Sequence, residues 1–271
     1  MMHELLNINE INVIETHPFP TNVSSSFAID DMLCLSADES SETSIRFWTH
    51  SPTIVFGIPD SRLPFFNEGV EWVRQAGFDV VIRNSGGLAV LLDEGILNIS
   101  LIFPDSKDIY KGYRAMVSLI QNVFQSATNQ IKAYEIINSY CPGDYDLSID
   151  GKKFAGISQR RIKNASAVQI YLCVEGDGHK RAEWLKQFYD IAKKDVETPF
   201  TYPNIDPNVM ASLEQLLNQR ITVQEVITLV IRTLKENGIK VTDKTFNNQE
   251  KLWFNERYNL MKSRNKSVNS L

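Results

Sequence analysis

Cys141, in the run Asn138-Ser139-Tyr140-Cys141-Pro142-Gly143-Asp144, is the residue of this chain best placed for nucleophilic chemistry. Its surroundings are turn-rich, whereas Cys34 and Cys173 lie in apolar helical and strand patterns where a buried, inert thiol is expected. A thiol attacks as thiolate, and from an ordinary pKa near ~8.5 it needs a cation or base close by to react at neutral pH. Lys153 is the nearest candidate. The Asp150-Gly151 dipeptide is a favoured two-residue turn, which pairs Ile149 with Lys152 and Ser148 with Lys153. Lys153 then shares a face with Asp146, Ser148 and Ala155, opposite the apolar Leu147 and Phe154. Two readings stand side by side: Lys153 charges a cleft beside Cys141, or it is a solvated lysine paired with Asp146. The Cys141 loop is likewise either a nucleophile loop or a structural turn built by Ser139, Tyr140 and Asp144.

A second candidate is Arg83-Asn84-Ser85-Gly86-Gly87, where two adjacent residues lack a Cβ. Such a loop permits positive φ and lets an oxygen lie against bare backbone amides; the plain alternative is a tight turn that needs glycine. The four histidines, His3, His17, His50 and His179, show no metal-ligand spacing and read as surface or turn residues. A Cys–His dyad with His179 ranks below Cys141 with Lys153, because Gly-Asp-Gly-His reads as a loop tip.

These residues need elements to hold them. Ser24 to Ser26 precede a helical pattern over Phe27 to Ala37, with Cys34 in its core. Ile45 to Trp48 and Thr53 to Phe56 read as short strands, Glu68 to Ala76 as a helix stopped by Gly77, and Asp79 to Arg83 as a β-branched strand entering the glycine loop. Leu88 to Leu92 and Leu97 to Phe103 are strands around a turn, and Asp108 to Asn129 is a helix. Tyr145 onward is the hairpin, Val168 to Val174 a strand, and the remainder, including Ala182 to Ala192 and Thr222 to Glu236, mainly helical. Thr198 to Asn208, with Pro199, Pro203 and Pro207, is the one linker-like stretch, and Glu250 to Asn265 a last helix or a loosely held tail.

The composition narrows the partners. Over 271 residues, Lys+Arg total 28 against 33 Asp+Glu, a net charge of -5, so no broad basic surface is on offer to a phosphate backbone and nucleic acid is not expected. Three cysteines without a CxxC pair argue against a disulfide framework or zinc cluster and for a reduced, cytoplasmic setting. Met1 to Asn12 lacks the pattern of a signal peptide, and apolar runs such as Ser100 to Pro104 fall far short of the roughly 20 residues of a membrane span. No membrane partner is expected.

Taken together, Val81 to Ser100 (VIRNSGGLAVLLDEGILNIS) and Asp150 to Arg161 (DGKKFAGISQRR) resemble the lipoate-protein ligase, octanoyltransferase and biotin-ligase superfamily. The resemblance covers roughly Ile45 to Leu234, and SYCPGDYDLSIDGKKFAGISQRR brings it closest to the cysteine-using octanoyltransferases. It implies an α+β fold of mixed, largely antiparallel sheets flanked by helices, like the biotin/lipoate ligase catalytic domain. That domain would span 1–200 with 208–240, about a core of 45–234, and leave 241–271 as a C-terminal helical extension or tail. The family's arginine and SGG loop fall on Arg83, Ser85, Gly86 and Gly87. Its lysine falls on Lys153, implied to contact the acyl carbonyl, and the thioester nucleophile of the cysteine-using members falls on Cys141. Ala89, Asp146 and Gly156 complete the implied substrate-binding set.

Three departures matter. Leu88 stands where the ligases show a third glycine, Leu92-Asp93 stands for their His-Asp pair, and Gly57-Ile58-Pro59-Asp60 replaces their Gly-Arg-x-Gln run. Together they favour transfer over ATP-driven ligation. The resemblance thus implies a ping-pong acyltransferase without metal or cofactor, which takes an octanoyl group from a lysine of the glycine-cleavage H protein. Acceptors would be lipoyl domains of 2-oxoacid dehydrogenase complexes. Ile82, Leu88 and Val90 are available to hold the chain. The alternatives are an ATP-dependent lipoate or octanoate ligase, a transferase using acyl carrier protein as donor, and a non-catalytic module that binds acylated carriers.

Overall fold

The computed structural model describes residues 2–15, 18–105 and 107–270. In chain order these form α1 (Met2–Leu6), β1 (Glu10–Ile14), α2 (Val23–Ser40), β2 (Ser44–Trp48), β3 (Thr53–Phe56), α3 (Phe66–Gln75), β4 (Asp79–Ile82), β5 (Val90–Leu92), β6 (Ile96–Phe103) and α4 (Ile109–Phe124). The chain continues through β7 (Lys132–Ala133), β8 (Leu147–Ile149), β9 (Lys152–Ile162), β10 (Ala165–Cys173), α5 (Gly178–Lys193), α6 (Leu213–Leu217) and α7 (Val223–Glu236). It ends with β11 (Lys240–Asp243), α8 (Asn248–Arg264) and α9 (Lys266–Asn269).

Among the described residues eight strands form one sheet, in the order β11-β1-β2-β6-β10-β9-β8-β7, and three form another, in the order β4-β3-β5. β1 runs parallel to β11 and β2, and β3 parallel to β4; the other pairings are antiparallel. The fold is therefore α+β with mixed, largely antiparallel sheets, as the family resemblance implies. β6 and β10 are buried at every position, which requires cover on both faces. α2 lies on the Gln169 face of β10, where Asp30 accepts from Gln169, and α4 on the Val168 face, where Gly112 meets Val168.

The helix expected at Phe27 starts earlier. Asn22, not the serine run, caps α2 by accepting from the Ser25 amide, and Ser25 and Ser26 are buried within it. His179 is not at a loop tip: Asp177 caps α5 and places it in the first turn. The His50 ring lies 3.0 Å from the Ser26 hydroxyl. His17 lies outside the described residues.

The segment after Lys193 has less freedom than its prolines suggest. Tyr202, Ile205 and Met210 are buried, and the Ala211 amide donates to the Lys153 carbonyl at 3.0 Å, so this stretch is laid along β9. The C-terminal segment is also held. Phe254 and Met261 are buried against α2, and Glu250, fully buried, accepts from Ser36 and pairs with Lys244. The Asn265 side chain bonds both the amide (2.7 Å) and the carbonyl (3.1 Å) of Ile82, fixing the end of β4 directly before Arg83.

Candidate active site

Ser148 pairs with Lys153 and Ile149 with Lys152 across the Asp150-Gly151 turn, the register expected from that dipeptide. Beyond it the pairing slips, so that Leu147 faces Ala155. Lys152 is exposed, whereas Lys153 is fully buried. Its ammonium pairs with Asp146 Oδ1 at 3.0 Å and donates to the carbonyls of Tyr140 (2.9 Å) and Cys141 (2.8 Å) and to Ser139 Oγ (3.2 Å). The rings of Tyr140 and Tyr171 flank it at 5.8 and 5.9 Å. Both sequence readings of Lys153 are thus revised: it pairs with Asp146 but is not solvated, and it binds the backbone of Cys141 where sulfur was expected. Burial pushes the Asp146 carboxyl above its usual range against the pull of Lys153, while Asp146 Oδ2 accepts from Gly143 and Ile136.

The cause is the backbone of Cys141, whose φ of +45° lies in the left-handed region that side-chain-bearing residues rarely occupy. In that conformation the carbonyl meets Lys153 and the side chain turns toward the glycine loop. The sulfur accepts from the Leu88 amide at 3.1 Å and from Arg83 Nη2 at 3.4 Å. The buried Arg83 guanidinium also donates to the Leu88 carbonyl at 2.7 Å. Gly87, at φ +98°, makes this approach possible: a Cβ there would strike the guanidinium and come within 2.9 Å of the sulfur. Around Gly86 a Cβ would meet nothing within 4 Å. Neither the Gly86 nor the Gly87 amide has a hydrogen-bond partner among the described residues, nor does the buried Ser85 hydroxyl.

Arg83, Gly86, Gly87, Cys141, Asp146 and Gly156 border one cavity of about 250 Å³, slightly below the roughly 300–1,000 Å³ usual for small-ligand sites. Phe27, Val55, Val90, Leu92 and Ile170 form the aliphatic and aromatic part of its lining. Of the three residues expected to hold an acyl chain, Val90 does line it; Ile82 and Leu88 are buried in the core instead. Ala89 is buried behind the loop, its amide donating to the Tyr189 hydroxyl. Trp48, Asn98, Gln169, Tyr113 and Tyr171 also line the cavity and were not singled out from sequence. Asn98 and Gln169 carry a signal that was there to read: amide side chains inside predominantly apolar strands. The other thiols are removed from this chemistry. Cys34 and Cys173 are fully buried, and burial pushes the Cys173 thiol up to about 11 despite the neighbouring Arg181.

Cys141, the nucleophile candidate, thus borders a cavity with a partly apolar lining in a fold of mixed sheets. The chain belongs to the lipoyl protein ligase A/B catalytic domain family, whose model matches residues 22–235, and it is an enzyme of that family. Among its relatives, the octanoyl-[GcvH]:protein N-octanoyltransferase of Oceanobacillus iheyensis is 53% identical, over 92% of this chain and 90% of that protein. The protein of the same name from Geobacillus kaustophilus is 44% identical over 99% and 97%. The fold matches lipoate-protein ligase A bound with ATP (TM-score 0.69, 20% identity, 93% of this chain and 94% of that one). It also matches a bi-partite lipoate protein ligase from Thermoplasma acidophilum, studied with its E2 lipoyl domain (TM-score 0.68, 21% identity, 93% and 92%). Among the described residues no helix is long and apolar enough to cross a membrane.

Proposed function

We propose that this enzyme moves an octanoyl group between protein lysines by way of a thioester on Cys141. The observation that carries the reading is the position of the Cys141 sulfur, which borders the cavity between the Arg83 guanidinium and the double-glycine loop. The names of relatives that share most of this chain's length support an octanoyl-bearing H protein as donor, and the E2 lipoyl domain named together with a structural neighbour supports lipoyl domains as acceptors.

In the first half-reaction the Cys141 thiolate attacks the carbonyl carbon of octanoyl-lysine. The oxygen of the tetrahedral intermediate takes the negative charge and is received by the amides of Gly86 and Gly87. Collapse breaks the C–N bond, the lysine nitrogen gains a proton, and the octanoyl thioester remains on Cys141. In the second, an acceptor lysine amine attacks that carbonyl, loses its proton and expels the thiolate. The proton that leaves the Cys141 thiol goes to the departing lysine nitrogen and is restored to the sulfur by the acceptor amine, while Lys153, paired with the Asp146 carboxylate, holds the Cys141 backbone in its left-handed turn. The acyl tail lies along Val55, Val90 and Leu92.

The test is transfer from purified octanoyl-H protein to an apo lipoyl domain without nucleotide, followed by intact mass. The reading expects the acceptor to gain one octanoyl group with the wild type and none with Cys141→Ala. Acyl-dependent release of pyrophosphate from ATP by either protein would establish a ligase instead, and transfer by Cys141→Ala would remove the thioester.

A further inference from the structure

Beneath the glycine loop lies a buried relay. Asp60, in the turn after β3, is fully buried, and its carboxylate accepts from the Gly57 amide (Oδ2, 2.7 Å) and from the Tyr189 hydroxyl (Oδ1, 2.7 Å). The same hydroxyl accepts from the Ala89 amide at 3.2 Å. Ala89 follows Leu88, whose amide meets the Cys141 sulfur and whose carbonyl holds Arg83. Gly57 also packs directly on Gly87, since a Cβ at Gly57 would overlap the Gly87 carbonyl. One carboxylate thus braces the loop from two sides, through a backbone turn and through a tyrosine.

We infer that Asp60 and Tyr189 are positioning residues for acyl transfer: the carboxylate orients the Tyr189 hydroxyl so that its lone pair receives the Ala89 amide and holds the Leu88 peptide against the Cys141 sulfur. This rests on Cys141 being the nucleophile. The hydroxyl has one proton to give, so it presents a lone pair to Ala89 only while its proton points at Asp60. A protonated Asp60 would donate to the tyrosine oxygen, leaving two donors aimed at it and the tyrosine proton without an acceptor. The relay therefore works with Asp60 ionised, and the site makes that ionisation costly. Burial pushes the Asp60 carboxyl up to about 6, against the Tyr189 and Gly57 hydrogen bonds and the Arg83 charge. The titratable groups facing this cluster are Tyr189 from α5, Arg83 from the end of β4, Tyr202, whose hydroxyl donates to the Pro59 carbonyl, Arg62 in the same turn, and Cys141.

This sequence places the relay where the resemblance to the ligases expects Gly-Arg-x-Gln. Gly57-Ile58-Pro59-Asp60 turns its acidic side chain inward, onto the loop that carries the chemistry. Tyr189 sits among aromatic rings, 5.2 Å from Phe188 and 5.8 Å from Tyr202, so loss of its hydroxyl leaves the packing in place.

The test is steady-state octanoyl transfer by wild type, Tyr189→Phe and Asp60→Asn between pH 5 and 9, with Tm and intact-mass assay of Cys141→Ala alongside. We expect Tyr189→Phe to lower kcat about 10- to 100-fold, the cost of a small misplacement of reacting groups, with KM within about twofold. The acid limb set by Asp60 near pH 6 should vanish from both relay variants. Wild-type kcat in Tyr189→Phe would overturn the inference, as would a lowered kcat that keeps the wild-type acid limb and merely follows a fall in Tm. Transfer by Cys141→Ala would instead defeat the nucleophile reading, whatever the relay variants do.

Discussion

Lys153 donates to the carbonyl oxygen of Cys141 at 2.8 Å, while the sulfur of the same residue turns away from it and meets Arg83 Nη2 at 3.4 Å. Two cations thus serve one cysteine from opposite ends. Lys153 fixes the backbone, and Arg83 with the Leu88 amide receives the sulfur. The left-handed φ of Cys141 is what allows both at once.

Removing the Lys153 ammonium strands a buried carboxylate and two carbonyls. Lys153→Met should therefore destabilise the protein by about 3–5 kcal/mol, the usual cost of breaking a buried pair, whereas exposed Lys152→Ala should stay within about 0.5 kcal/mol. Urea unfolding of the two variants measures this. Equal effects would contradict the opposite placement of the two lysines.

Arg83 should govern how readily the Cys141 sulfur reacts. In Arg83→Gln, alkylation of Cys141 by iodoacetamide should slow about tenfold or more, since a charge-assisted hydrogen bond contributes roughly 1.5–3 kcal/mol. Peptide mass spectrometry against time gives the rate. An unchanged rate would make Arg83 a loop support only, acting through the Leu88 carbonyl.

The two glycines of the loop should differ. Gly87→Ala forces a Cβ onto Arg83 and the sulfur at a positive φ, a backbone cost of roughly 1–2 kcal/mol before the collision, and should lower both Tm and turnover. Gly86→Ala meets no protein atom, so it should fold like the wild type and any loss should appear in substrate handling. Matching Tm losses in the two variants would contradict the open space beside Gly86.

Asp60 should leave a signature in stability as well as in rate. Its folded pKa, about 6, lies above the ordinary 3.8, so the folded state binds the proton more tightly than the unfolded chain. Its contribution is then greatest at acid pH and is lost as pH rises through 6. The unfolding free energy of wild type minus that of Asp60→Asn should be about 1.4 kcal/mol larger at pH 5 than at pH 7.5. A difference that shrinks toward pH 5 would mean an Asp60 that prefers its charged form.

The parts of the site that rest on local geometry were legible in the sequence. Asp150-Gly151 sets a hairpin register, so the pairing of Ser148 with Lys153 followed from two residues. Gly86-Gly87 marked a loop that needs bare backbone, and the turn-rich setting of Cys141 separated it from two buried thiols. What escaped depends on residues brought together from far apart in the chain. The burial of Lys153 needs Tyr140 and Tyr171 around it and the segment through Met210 laid along β9. Tyr189 reaches Asp60 across 129 positions, and no periodicity announces such a pair. The direction of the Cys141 side chain hangs on a φ that most residues avoid, so a pattern that assumes ordinary backbone points the sulfur toward Lys153.

The most direct measurement is peptide mass spectrometry of the wild-type enzyme, mixed with octanoyl-H protein and quenched in acid before acceptor is added. The account predicts one octanoyl group on Cys141, released by neutral hydroxylamine as a thioester is and passed to an apo lipoyl domain when one is supplied. An octanoylated acceptor formed at full rate while Cys141 never carries the group would contradict it.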